Sequence, residues 1–408
     1  VLTWMALALS WSVACSDTAE MTSLDDAAGD VEGGGMAAEA PVEIVDRYPG
    51  DTWATGDPAD HGMDPEALQE TADIVEGLDS HCFMVVHRGT VVGEWYWNGW
   101  DRDTRQEVFS ASKSISSTLF GIAQARGLLD VDDPTSEILT EWQGTDSEGV
   151  TIANLLSNDS GREWSTITDY VNLITLQSDK TAYALSLGQD YPPGEHWEYN
   201  NAAIQTLEPI LEEATGMPVE DFAREALFEP LGMGSEYTLD AAGNAMMWQG
   251  VQASCSDLAR FGLLFLRGGS WEDGQQIVPR AWVEEATTPR TDLNSAYGYL
   301  WWLNQEGHWE RPSIGERTAE NGGLGEGRWE PGDPEDVYMA LGFQGQLVIV
   351  DPTEEVVYVR IGGNPDMLAA FNAAGGLSGI DSLAGGTEVT TIRQAMRAVL
   401  QGERPVAP

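Results

Sequence analysis

The sequence predicts an α/β (α+β) fold: an antiparallel sheet flanked by helices and built from both chain ends, with an all-helical lobe inserted between them. Three observations carry this reading. Runs rich in β-branched and aromatic residues occur early, at 82–87 and 90–97, and again late, at 337–342, 346–351 and 355–361. Between them, from about 110 to 285, helical periodicity dominates. Turn signals separate the strands, Arg88-Gly89 in the first pair and Asp351-Pro352 in the last. The expected α/β lobe is therefore 49–109 with 286–408, and the expected helical lobe is 110–285.

The elements follow in order. Residues 1–15, VLTWMALALSWSVAC, read as the apolar part of a secretion signal. Ser12-Val13-Ala14-Cys15 is similar to a bacterial lipoprotein cleavage box, so the expectation is an exported, periplasmic or cell-surface protein in which a lipidated Cys15 serves as membrane tether. Residues 16–48 are rich in Asp, Glu, Gly and Ala without an apolar period, and read as a disordered acidic tether. A helix is expected over 65–77, with Asp64 as N-cap, Pro65 at its first position and Leu68, Ala72 and Val75 on one side. Further helices are expected at 110–126, 201–215 and 256–267, closed by Gly127, Gly216 and Gly268, and a last one at 390–401. The stretch 304–336 is crowded with Gly, Pro, Glu and Arg; it reads either as a surface insertion or as a segment covering a site.

Composition excludes several functions. With 67 acidic and 20 basic side chains the formal charge is −47, which argues against a nucleic-acid partner held through phosphates. No apolar run reaches the roughly 18 residues needed to span a bilayer. The five His include no HExxH, and neither Cys82 nor Cys255 has a second ligand nearby, so no metal or cofactor is expected. Cys82 and Cys255 read as two buried free thiols. Only two of the basic residues are lysines, Lys113 and Lys180.

Lys113 lies in Phe109-Ser110-Ala111-Ser112-Lys113-Ser114, three residues after a serine at a helix start. That spacing brings Ser110 and Lys113 to one face. A serine hydroxyl becomes a competent nucleophile when a base removes its proton, and a neutral lysine amine is such a base. Burial and the helix N-terminus both lower a lysine pKa. A proton relay is also needed, and three Tyr-x-Asn matches exist: Tyr96 with Asn98, Tyr170 with Asn172, and Tyr199 with Asn201. The last follows the turn Pro192-Pro193-Gly194 and leads into a helix, the most rigid of the three settings.

Taken together, the Phe-Ser-Ala-Ser-Lys-Ser stretch, Tyr199-Asn200-Asn201 and a late Gly-rich strand resemble the serine β-lactamase-like family. That family spans class C β-lactamases, DD-peptidases, carboxylesterases and 6-aminohexanoate-dimer hydrolases. Supporting stretches are Leu129 to Pro134, Glu229 to Met233, Ser256 to Gly262 and Tyr297 to Trp302, and the resemblance covers about 50–400. It implies a β-lactamase/transpeptidase-like fold with a cleft between two lobes. It also implies Ser110 as nucleophile, Lys113 as base, Tyr199 as relay, and Asn201 as a ligand for a substrate amide or for Lys113. The third motif departs from the Lys-Thr-Gly form: Gly342-Phe343-Gln344-Gly345-Gln346 puts Phe343 where a cation would stand. Gly345 would permit close approach of substrate, and the Gln346 and Ser110 backbone N–H groups would form an oxyanion hole. Tyr170 and Asp169, and some of the 16 tryptophans, are candidates for the pocket wall.

The expected activity is an exported serine hydrolase acting through an acyl-enzyme on a small ester or amide, the missing cation favouring neutral substrates. A β-lactamase or DD-peptidase is the alternative, and a non-hydrolytic penicillin-recognising or peptidoglycan-binding module a further one. A Ser-His-Asp hydrolase lacks its Gly-x-Ser-x-Gly. The sequence names neither the substrate nor the oligomeric state.

Overall fold

In a computed structural model the apolar runs from both chain ends pair into one seven-stranded sheet; the structure describes residues 47–312, 317–320, 322–363 and 387–406. Its strands are β1 (Ala54–Thr55), β2 (Ser80–His87), β3 (Thr90–Tyr96), β4 (Trp302–Leu303), β5 (Tyr338–Gly342), β6 (Gln346–Asp351) and β7 (Val356–Gly362). They lie in the order β1-β3-β2-β7-β6-β5-β4, every pair antiparallel except β1 with β3. The β2–β3 hairpin turns through Arg88 and Gly89, both left-handed (φ 52° and 79°), the geometry a two-residue turn between twisted strands requires. Strands β2 and β7 pair from His87 with Val356 to Cys82 with Ile361, so the two chain ends meet in the middle of the sheet. Strands β6 and β7 are buried at every residue, as expected of strands covered on both faces.

The helices that matter for the site are α1 (Pro65–Glu76), α2 (Ser112–Ala125), α3 (Asn201–Gln205), α4 (Leu207–Thr215), α5 (Cys255–Leu266) and α6 (Thr387–Leu400). The Asp64 carboxylate caps α1, accepting from the Glu66 amide at 3.0 Å. Helix α1 packs on α6, and α5 packs across β2, β6 and β7. The expected helix over 201–215 is broken at Thr206. Pro209 is the reason: it has no N–H to bond the Gln205 carbonyl four residues back, and its ring crowds that carbonyl. The expected helix at 110 begins instead as a tight turn, Phe109–Ala111, before α2 proper.

Three expectations need correction. Helix α5, which falls inside the expected helical lobe, packs instead across strands β2, β6 and β7 of the sheet. Cys82 and Cys255 are joined in a disulfide, with Cα atoms 6.4 Å apart, rather than being free thiols. A separation of 173 residues carries no sign of contact; the packing of α5 on β2 creates it. Ordered structure also begins slightly before 49, since the Arg47 amide donates to the Arg88 carbonyl at 3.0 Å and Tyr48 meets Trp271 edge-on. The secretion signal, Cys15 and the tether up to residue 46 lie outside the described residues. Within 304–336 a short hairpin forms, His308–Glu310 with Leu324–Glu326.

Candidate active site

Ser110 sits in the tight turn that feeds α2. The residue before it, Phe109, is held at φ 48°, a left-handed conformation uncommon for an aromatic residue. The surroundings hold it there: the Val108 amide donates to the Val251 carbonyl at 2.9 Å, and the Phe109 ring meets Phe343 edge-on at 5.6 Å. The serines of α2 then dock its neighbours. Ser112 accepts from the Val251 amide at 3.0 Å, Ser116 donates to the Met247 carbonyl at 2.7 Å, and Ser114 to the Leu300 carbonyl at 2.7 Å. A helix start that looks merely polar in the sequence is a row of buried clamps.

Those clamps bring the 247–251 segment against Lys113. Lys113 is 1% exposed, with its Nζ 3.0 Å from Ser110 Oγ and donating to the Trp248 carbonyl at 2.7 Å. Burial holds its amine well below the ordinary lysine range, against the opposing pull of Asp169. The Nζ also stands over the Tyr199 ring, 4.7 Å from its centroid. A neutral amine in this position can accept the Ser110 proton.

Tyr199 is buried near the same serine. Burial pushes its phenol up, only partly offset by the neighbouring Ser110 hydroxyl. Its ring stacks on Trp302 at 5.8 Å and meets Tyr297 edge-on at 6.1 Å. The segment carrying it is fixed by Ser157-Asn158-Asp159-Ser160-Gly161, which follows the short helix Ile152–Ser157. Asn158, left-handed at φ 59°, accepts from the Glu198 amide on its carbonyl (2.9 Å) and from the Asn200 amide on its side chain (3.3 Å). Asp159 accepts from the Gly194 amide on its carbonyl at 2.8 Å, while its side chain bonds Asn154 and Ser157.

Asn201 is buried, but its Nδ2 donates at 2.7 Å to Asp169 rather than turning to Lys113; its Oδ1 is buried without a partner among the described residues. Asp169 comes from the wide-turn helix Ile167–Leu176 and also accepts from the Ala202 amide at 2.8 Å. Burial raises its carboxyl to about 6, opposed by those bonds and by Lys113. The next residue, Tyr170, is half-buried beside Tyr199, Glu198 and Arg317. Asp169, weighed from the sequence only as pocket wall, is a buried support under α3.

In the third motif, β5 and β6 join through the turn Phe343–Gly345. Phe343 lies against Phe109, next to the nucleophile. The close backbone approach falls at Gly342 rather than Gly345. A Cβ on Gly342 would stand 2.3 Å from the Val108 carbonyl oxygen and 3.1 Å from the Ala111 nitrogen. Gly345, at φ 72°, instead backs onto Arg360 and Glu388. The Gln346 side chain is committed to Gly362, donating to its carbonyl at 2.6 Å and accepting from its amide at 3.0 Å. Only the backbone of Gln346, paired opposite Gly342, is left to serve the site.

The 304–336 segment reaches the site as well. Trp329 packs on Trp302 at 5.3 Å, and Arg317 ion-pairs with Glu198, the residue before Tyr199. Sequence reasoning missed Trp248, Asn158, Glu198 and Arg317. The polar SNDSG stretch was the one visible signal; the rest depend on contacts between distant segments.

The comparisons with known proteins bear on the family and the fold. The beta-lactamase family model matches residues 72–361. The chain is 24% identical to the 6-aminohexanoate-dimer hydrolase of Paenarthrobacter ureafaciens, over 72% of this chain and 76% of that one. In fold it is similar to a putative 6-aminohexanoate-dimer hydrolase from Bacillus anthracis (TM-score 0.62, 19% identity, covering 81% and 82% of the two chains). A family VIII carboxylesterase is also similar (TM-score 0.54, 15% identity, 75% and 96%). With a family match over most of its length and its serine and lysine side by side, this chain belongs to the beta-lactamase family, whose serine hydrolases act on ester and amide bonds.

Proposed function

We propose that the protein hydrolyses neutral esters or amides through an acyl-enzyme on Ser110. The observation that carries this reading is the 3.0 Å contact between Ser110 Oγ and a fully buried Lys113 amine whose proton affinity burial has lowered. Lys113 takes the hydroxyl proton as Oγ attacks the substrate carbonyl carbon. The developing oxyanion is stabilised by the Ser110 and Gln346 backbone N–H groups. Tyr199 passes its hydroxyl proton to the departing alkoxide or amine as its bond to the acyl carbon breaks, and takes a proton in turn from the Lys113 ammonium, which leaves the amine neutral again. A water then adds to the acyl carbon as it loses a proton to Lys113, and the Ser110–acyl bond breaks as Ser110 Oγ recovers that proton, which releases the acid. Asn201, with its free Oδ1, and Tyr170 would contact the substrate.

Two features support a neutral substrate. Phe343 occupies the position where a cation would meet a substrate carboxylate, and Arg317 is already engaged by Glu198 and Glu310. Export, with Cys15 as lipid anchor, is part of the same proposal; the Cys82–Cys255 disulfide supports an oxidising compartment.

The test is intact-mass measurement with a fluorophosphonate probe, together with turnover of p-nitrophenyl butyrate and nitrocefin. Wild type should take one adduct, Ser110→Ala none, and the ester should be the better substrate. Equal labelling of Ser110→Ala would sink the acyl-enzyme; nitrocefin turnover exceeding ester turnover would overturn the neutral-substrate reading.

A further inference from the structure

Arg317 is where the 304–336 segment touches the two residues before Tyr199. Its side chain is 11% exposed and its guanidinium lies over the Trp197 ring, 5.3 Å from the centroid. It ion-pairs with Glu198, bonds Glu310 at 2.8 Å, and donates from Nε to the Arg311 carbonyl at 2.9 Å. Trp197 and Glu198 are the two residues before Tyr199. The Trp197 ring rests on Tyr297 and Trp302, at 5.5 and 6.4 Å, the same rings that flank Tyr199.

The hairpin end of this arrangement is anchored separately. Asn294, 2% exposed, donates to the Glu310 carbonyl at 2.9 Å and accepts from the Glu310 amide at 3.2 Å, and the Ser295 amide donates to the His308 carbonyl at 2.7 Å. Arg317 therefore links a fixed hairpin to the strand-like segment bearing Tyr199. From the inner side that segment is held by the Glu198 amide on the Asn158 carbonyl; from the outer side it is held by Arg317.

We propose that Arg317 is a positioning residue for Tyr199: by gripping Trp197 and Glu198 it fixes the segment that aims the Tyr199 hydroxyl at Ser110. The inference rests on the proposed role of Tyr199. An exposed ion pair would contribute little. Here both partners are largely buried, 11% and 15% exposed, so removing the guanidinium leaves Glu198 and Glu310 facing each other across a half-dry rim. Relief of that repulsion moves the backbone next to Tyr199, and misplacement by about 1 Å costs on the order of a hundredfold in rate.

The experiment compares wild type with Arg317→Ala, Arg317→Lys and Glu198→Gln. It measures the fluorophosphonate labelling rate of Ser110, kcat and KM on p-nitrophenyl butyrate, and amide hydrogen exchange at Glu198 and Asn200. Arg317→Ala should slow labelling and kcat by about ten- to a hundredfold, with KM nearly unchanged and both amides exchanging faster. Arg317→Lys should recover part of the rate. Glu198→Gln, which keeps the side-chain shape, should reproduce a weaker form of the same loss and covers the case in which Arg317→Ala fails to fold. Wild-type labelling in Arg317→Ala, a loss confined to KM, or unchanged exchange at both amides would each overturn the proposal. If wild type itself takes neither probe nor ester, the hydrolase reading fails, and the exchange measurement alone decides the positioning of the segment.

Discussion

The two lysines of the chain are both buried, and their surroundings differ in one decisive respect. Lys180 Nζ donates to three carbonyls, Leu173 at 2.6 Å, Ile174 at 3.0 Å and Gln177 at 3.2 Å, which close the end of the wide-turn helix Ile167–Leu176. An ammonium saturated by carbonyls at a helix C-terminus is well placed as a cation. Lys113 has one carbonyl, from Trp248, and a hydroxyl. It stands in the first turn of α2, where the helix end disfavours positive charge. Burial lowers both amines, that of Lys113 far more. Burial alone therefore does not make a base: a buried lysine becomes one when its partners do not satisfy the ammonium.

Exchanging each lysine for a shape-matched apolar side chain gives the sharpest way to break this comparison. Lys113→Met should lose at least about 10³-fold in kcat/KM, as removal of an activating base does, while its Tm stays near wild type because a costly buried amine is gone. Lys113→Arg should be equally inactive, since a guanidinium cannot take the serine proton at neutral pH. Ester hydrolysis and thermal melts on the same samples read both outcomes; substantial activity in either variant would end the role given to Lys113.

The disulfide gives the next largest effect. Replacing Cys82 and Cys255 with Ala should destabilise by about 3–5 kcal/mol in urea unfolding, because the bridge closes a very long loop in the unfolded chain. The geometry around Ser110 and Lys113 does not include it, so the melted fraction rather than kcat should change.

Lys180→Met should show the reverse of Lys113→Met. Leaving the helix-end carbonyls unpaired should cost about 2–3 kcal/mol of stability, with activity of the folded fraction largely kept. A Lys180→Met enzyme as dead as Lys113→Met would erase the distinction.

The smallest effect lies in the pH profile. Lys113 acts as a base only when neutral, so kcat/KM should rise with pH through a lysine pKa well below its usual value. The Asp169 carboxyl, raised to about 6 by burial, faces the same amine. Below that pH it is protonated and its pull on Lys113 is gone; above it the carboxylate favours the ammonium and works against the base. Asp169→Asn should therefore remove a component near pH 6 from the profile and shift the Lys113 limb to lower pH. It should also lose about tenfold in rate as its bonds to Asn201 and Ala202 weaken. An unchanged profile would remove Asp169 from the electrostatics of the site.

Much of this was legible along the chain. The α/β class, the paired terminal strands and the helices at 65, 112 and 255 follow from local periodicity and caps, because those signals sit in consecutive residues. Ser110 with Lys113 was legible for the same reason: a spacing of three within one helical turn is a local fact. Tyr199 needed context, the rigid turn before it and the helix after it. The disulfide, the packing of α5 on the sheet and the close approach at Gly342 were not legible, since each depends on which distant segment packs opposite.

By itself, then, the sequence singled out the candidate residues of the site: a serine, a lysine three residues on, and a tyrosine before a helix. Only the tertiary structure decided what state those groups are held in. It placed the Trp248 carbonyl rather than Asn201 against Lys113, put Asp169 under Asn201, turned the Gln346 side chain away to Gly362, and brought Arg317 to Glu198. The physical reason is range. Side-chain identity and helical spacing act over a few residues, whereas burial, and the partners that set a pKa or fix a ring, are properties of surfaces assembled from segments far apart in the chain.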